Sequence, residues 1–126
     1  MQLLTFLIGS HRLAVLAQRV LSVGHERKGR DGAGSDDAID LAAVLDLHEP
    51  PKGTRPVIRF DNRSQMVELR VDRILALHTC EDGAIQPWPA LLKPLAFFTG
   101  AVAIDGRLFQ VIDLGKIAAR RKGRRR

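Results

Sequence analysis

The sequence predicts a mainly β protein built from two similar small modules, the first of them shortened. Three observations carry that prediction. Apolar and polar residues alternate in short runs separated by turn residues, the pattern of half-buried strands. Asp105-Gly106 stands between two such runs, and this pair supplies the positive φ angles of a tight hairpin turn. Two short sequences, Ile39-Asp40-Leu41 and Ile112-Asp113-Leu114, echo each other 73 residues apart.

Taken in order, residues 3–8 are β-rich and end at the turn-like Gly9-Ser10-His11-Arg12, and residues 13–16 resume the apolar pattern, which predicts a hairpin. Val20 and Val23 lead into residues 24–37, where Gly24, Gly29, Gly32 and Gly34 among charged residues mark a loop. Pro50-Pro51-Lys52-Gly53 is the next break. Residues 56–60 read as a strand, Asp61-Asn62-Arg63-Ser64 as a turn, and residues 65–69 and 71–77 as further strands. Pro87-Trp88-Pro89 and Pro94 mark an extended connection before the hairpin formed by residues 100–104 and 108–112. Two short helices are expected, after Asp40 and after Asp113, because a carboxylate at that position accepts hydrogen bonds from the first free amides of a helix.

The echo extends further. Arg19-Val20-Leu21-Ser22-Val23 and Arg73-Ile74-Leu75-Ala76-Leu77 share their apolar spacing at an offset of 54 residues, from Val20 to Ile74. The first interval is therefore 19 residues shorter than the second, which holds the hairpin of residues 100–112.

At 126 residues, 45% hydrophobic and 27% charged, the chain suits one soluble globular domain rather than two, and its composition excludes a disordered chain. No apolar run approaches the ~20 residues of a membrane-spanning helix. The apolar residues 1–8 lack a basic flank and meet His11 and Arg12 within a turn, so they do not read as a signal peptide. The one cysteine, Cys80, forms no internal disulfide and favours a reducing, cytoplasmic location.

Net charge is concentrated at one end. Of 20 Lys and Arg, six are Arg120, Arg121, Lys122, Arg124, Arg125 and Arg126, so the remaining 14 balance the 14 Asp and Glu. A neutral body argues against a fold that tracks a phosphate backbone. The tail itself is a candidate polyanion-binding segment acting through counterion release. Its other reading is a solvated, disordered end comprising residues 119–126.

The inventory for catalysis is thin. His78, Cys80, Glu81 and Asp82 lie together, but metal sites draw paired spacings from two segments and no second cluster exists. On a strand His78 and Cys80 share a face, and packing explains both. None of His11, His25, His48 and His78 neighbours a nucleophile motif. The glycine-rich stretch contains neither a dinucleotide fingerprint nor a Walker sequence. With five Phe, one Trp and no Tyr, stacking aromatics are scarce; Phe97-Phe98 offers partner contact or core. No catalytic, cofactor or metal site is expected, and the default is a protein-binding module that uses grooves and sheet edges.

Several segments in order resemble the CheW-like domain family, the adaptors of bacterial chemosensory signalling. Phe6-Leu7-Ile8-Gly9, Arg12-Leu13-Ala14-Val15-Leu16 and Val20-x-x-Val23 look like that family's opening. Val57-Ile58-Arg59-Phe60, Leu69-Arg70-Val71-Asp72-Arg73-Ile74, Gly100-Ala101-Val102-Ala103-Ile104-Asp105-Gly106-Arg107-Leu108 and Val111-Ile112-Asp113-Leu114 follow its order and spacing. The resemblance covers residues 3–118 as one domain with two subdomains intertwined along the chain. It implies two five-stranded SH3-like β-barrels, the first trimmed. It also implies a noncatalytic scaffold that binds a CheA-type histidine kinase, a methyl-accepting chemoreceptor tip, or both. Val20 and Val23 match positions of the family's inter-barrel groove, with Leu13 and Val102 as further partner-binding candidates. The chain departs from the pattern where the family carries Gly-x-x-Asn-Leu-Arg-Gly, whose arginine couples receptor to kinase. Gly32-Ala33-Gly34-Ser35-Asp36-Asp37 stands there, at the place of the 19-residue deficit. Leu16 replaces the usual proline, and Ser22 the usual acidic residue.

Overall fold

The computed structural model describes residues 1–25, 38–44, 55–63, 65–88 and 97–118. In chain order the strands are β1 (Gln2–Ile8), β2 (His11–Leu16), β3 (Val20–His25), β4 (Ile39–Asp40), β5 (Pro56–Asn62), β6 (Gln65–Arg70), β7 (Arg73–Thr79), β8 (Gln86–Pro87), β9 (Phe98–Ile104) and β10 (Arg107–Ile112). A 3-10 turn (Ala17–Arg19) precedes β3, helix α1 (Leu41–Val44) follows β4, and residues 114–118 form a second helical turn. The stretch 26–37, the break at 50–53, Pro89, Pro94 and the basic residues 120–126 lie outside the described residues. Among the described residues no helix is long and apolar enough to cross a membrane.

Local chemistry accounts for the turns. Gly9 takes φ +58° between β1 and β2, and the turn is tighter than the sequence suggests, since His11 and Arg12 already belong to β2. Asp61 and Asn62 likewise extend β5, and Arg63 follows them at φ +52°. Asp105 and Gly106, at φ +51° and +75°, make the expected two-residue hairpin turn. Asp40 Oδ1 accepts from the Ala42 amide at 3.1 Å and Asp113 Oδ1 from the Lys116 amide at 3.1 Å, so both anticipated caps form.

The strands make two sheets, ordered β7-β1-β2-β10-β9-β8 and β3-β5-β6-β4. The repeat foreseen in the sequence is exact: β1 and β2 fall on β5 and β6 when shifted by 54 residues, and β3 falls within β7. The repeats do not fold side by side, however. The first hairpin (β1–β2) pairs with β7 and β10 of the second repeat, while the second hairpin (β5–β6) pairs with β3 and β4 of the first. Even the registers agree. Ile39 opposes Leu69 in parallel β4–β6, and Gln110 and Val111 oppose Leu13 and Ala14 in parallel β10–β2, so Ile112, the counterpart of Ile39, continues toward Val15. The two sheets are thus a strand-exchanged pair, six strands and four where the family resemblance implies five and five. The deficit falls on the four-stranded sheet, where β4 has no outer neighbour among the described residues.

The shared apolar spacing also has a structural cause. Along β3–β5, Val20 opposes Phe60 and Ser22 opposes Arg59, which leaves Leu21 as an extra residue. Along β1–β7, Ile74 opposes Phe6 and Ala76 opposes Thr5, which leaves Leu75 extra. A bulge at the same position of each repeat keeps residues three apart on one face where a plain strand would alternate them. At the second bulge, the fully buried Thr5 hydroxyl donates to the Ala76 carbonyl at 3.1 Å.

The larger core lies between the sheets, with Phe6, Ile8, Leu13, Val15, Ile58, Phe60, Leu69, Phe97 and Ile117 among its buried members. A smaller core of Leu3, Ala14, Val102, Ile104, Phe109 and Val111 fills the opposite face of the six-stranded sheet. Strands β1 and β2 are therefore buried on both faces. The corresponding face of the four-stranded sheet is polar: Arg59 Nε donates to Glu68 Oε2 at 2.8 Å across β5–β6, and both side chains are 19% exposed. The Arg59 guanidinium continues over β3, so close to Gly24 that a Cβ there would lie 2.9 Å from Nη1. A charge pair thus stands where the other sheet has its second apolar core.

Candidate partner-binding surface

Strand β3 forms one edge of the four-stranded sheet and pairs only with β5 among the described residues. Val20, opposite Phe60, leans on the larger core and is half-buried. The bulge pushes Leu21 outward to 60% exposure, and Val23, opposite Ile58 near the strand's end, is 47% exposed. One edge strand therefore carries three apolar side chains in four residues, two of them open to solvent. Isolated exposed apolar residues are ordinary, but a run of them on a sheet edge with unpaired backbone groups is a surface suited to a partner.

The remaining sequence candidates are placed differently. Leu13 (2% exposed) belongs to the larger core and Val102 (1%) to the smaller one, so neither joins Val20 and Val23 on the surface. Each lies in an apolar run, Leu13 before Ala14-Val15-Leu16 and Val102 between Ala101 and Ala103, and its side chain is enclosed in a core. His78 pairs with Leu3 in β7, and Cys80, half-buried, packs against the smaller core. No group of three or more His, Cys, Asp or Glu among the described residues could hold a metal. A cleft of about 100 Å³ lies beside Leu16, Arg19, Thr99 and Asp113, and a more open one of about 550 Å³ beside Met1, Gln2, Gln18 and Asp82. Phe97 and Phe98 are both buried, edge to face with ring centroids 5.0 Å apart, and serve the core.

Two features escape the sequence reading. The first is the second edge, β7, where Leu75 and Leu77 (39% and 57% exposed) repeat the positions of Leu21 and Val23. The repeat itself signals it. The second is Arg55, only 5% exposed, whose Nη1 donates to Asp40 Oδ2 at 2.7 Å and Nη2 to Asp72 Oδ1 at 3.0 Å. These partners lie 15 and 17 residues away in sequence, and no local pattern announces them.

Apolar side chains on two strand edges are surfaces of the kind that suit a protein partner. Residues 37–122 match the model of the CheW-like domain, and the chain belongs to the CheW-like domain family. The match begins just before β4, so β1–β3 with Leu13, Val20 and Val23 lie outside it, whereas Val102 lies inside. The crystal structure of the scaffolding protein TtCheW from Thermoanaerobacter tengcongensis is similar in fold across both repeats. Its TM-score is 0.73, with 90% of this chain and 88% of that chain covered at 18% identity. No curated protein matches the chain.

Proposed function

We propose that the chain is a noncatalytic adaptor of bacterial chemosensory signalling that binds the regulatory domain of a CheA-type histidine kinase, the cytoplasmic tip of a methyl-accepting chemoreceptor, or both. Membership of the CheW-like domain family carries this reading. The exposed Leu21–Val23 edge supports it, because it offers apolar area at a family groove position. Val20 and Val23 are the partner-contact residues, Val23 directly and Val20 from its half-buried place beneath it. Leu13 and Val102 act only by supporting strands, since their side chains are enclosed. In this reading the protein works in the cytoplasm, where both partners expose the regions named.

Purified protein, with and without residues 120–126, is titrated against a kinase regulatory domain and a receptor tip fragment. Binding that is indifferent to the tail supports the adaptor. Binding to neither partner, with salt-sensitive binding to a polyanion that disappears on removing the tail, favours the alternative of a nucleic-acid or anionic-surface binder.

A further inference from the structure

We infer that Arg55 is a positioning residue that fixes how the two sheets are set against each other, and through them the β3 edge. The observation is a continuous chain of paired groups at one junction between the sheets. Asp40 gives one carboxylate oxygen to Arg55 and the other to the Ala42 amide that starts α1. Asp72 gives one oxygen to Arg55 and the other to the Gly9 amide in the β1–β2 turn. Asp72 lies where the chain passes from β6 of the four-stranded sheet to β7 of the six-stranded sheet, and its own amide donates to the Leu7 carbonyl at 3.0 Å. One guanidinium thus spans from the α1 cap in one sheet to the hairpin turn of the other. A planar fork with several fixed donors can hold two carboxylates at once, which a lysine ammonium on a flexible stem does poorly.

The repeat shows that the device is one-sided. At the equivalent junction, between β2 and β3, the offset of 54 places Met1 at the position of Arg55 and Gln18 at that of Asp72, while Asp113 stands for Asp40. Asp113 caps its helix, and among the described residues no ion pair bridges it across as Arg55 bridges Asp40. One junction is therefore clamped by a buried guanidinium, whereas the other, which leads directly into Val20 and Val23, has among the described residues only the Met1 ammonium, 3.6 Å from the exposed Asp82. With the clamp intact the sheets share one setting; without it they turn about the packed junction. The consequence for partner binding rests on the adaptor reading, whereas the clamp itself does not.

The test uses the full chain with Cys80→Ser and nitroxide labels at Met66→Cys and Leu108→Cys, exposed positions in the two sheets. The inter-label distance distribution is measured by pulsed electron spin resonance. It is expected to be narrow in the parent, at least twofold broader in Arg55→Met and in Asp72→Asn, and intermediate in Arg55→Lys. Circular dichroism confirms that each variant keeps its sheets, and if Arg55→Met does not fold then Asp72→Asn decides. An unchanged width in a folded variant that has lost the Arg55–Asp72 pair overturns the inference. Kinase-domain affinity is read on the same samples. Broadening together with weakened binding supports both the clamp and the adaptor. Broadening without binding in any sample keeps the clamp and removes the adaptor.

Discussion

Replacing Gly100 with alanine probes the packing of β8 against β9 at its tightest point. An ideal Cβ at Gly100 would lie 2.5 Å from the Gln86 carbonyl oxygen, 2.8 Å from Ile85 Cγ2 and 3.1 Å from the Gln86 carbonyl carbon. Two of these are backbone atoms, so no rotamer change relieves the clash, and β8 has to move. Moving it opens the Gln86↔Ala101 and Pro87↔Gly100 pairing and lifts Ile85 from the smaller core. Overpacking of this kind costs about 1–3 kcal/mol. With roughly 4 °C of midpoint change per kcal/mol for a domain of this size, Tm falls by about 4–12 °C. Calorimetry gives the shift, and hydrogen exchange at the Ala101 amide locates it. A Gly100→Ala protein that melts with the parent and keeps Ala101 equally protected would refute the close approach of β8, and with it the closure of the smaller core.

Other predictions follow from the repeat and its charges. Phe6 and Phe60 are equivalent and both fully buried, so Phe6→Ala and Phe60→Ala each lower stability by about 3–5 kcal/mol in urea denaturation; a difference above about 2 kcal/mol would break the equivalence. Asp113→Ala removes a cap and costs about 1 kcal/mol. Asp40→Ala removes the same kind of cap and also one of the two carboxylates on the buried Arg55, which keeps Asp72, adding roughly 1.5–3 kcal/mol for a hydrogen bond to a charged group; equal losses in the two variants would contradict the ion pair.

How much of this was legible in the sequence depends on the range of the interaction that carries it. Strands, turns and caps rest on neighbours in the chain, so Asp105-Gly106, Asp40 and Asp113 could be read directly. The repeat was visible because the bulges at Leu21 and Leu75 fix the apolar spacing within each strand. Strand exchange was not readable from the strands themselves, because the alternation in β3 is the same whether it pairs with β1 or with β5; only the family resemblance implied intertwined subdomains. Leu13 and Val102 show the same limit. Their apolar runs say that the strands have apolar faces, but only the assembled sheets show whether those faces are sealed. Arg59 and Glu68 could have been paired from the β5–β6 hairpin register. Arg55 could not, since its two carboxylates come from different corners of the fold.

The most direct test of the central claim, that this is an adaptor working through the β3 edge, is calorimetric titration of a CheA-type kinase regulatory domain and of a receptor tip fragment into the parent and Val23→Asp. Val23 is preferable to Val20 because it is half exposed, so a charge there spares the larger core. The account predicts binding of at least one of these partners that persists without residues 120–126. It also predicts a loss of about thirtyfold or more in Val23→Asp, the roughly 2 kcal/mol of a contact at the centre of an interface. Equal affinity in the parent and a folded Val23→Asp protein, or no binding of either partner by the parent, would contradict it.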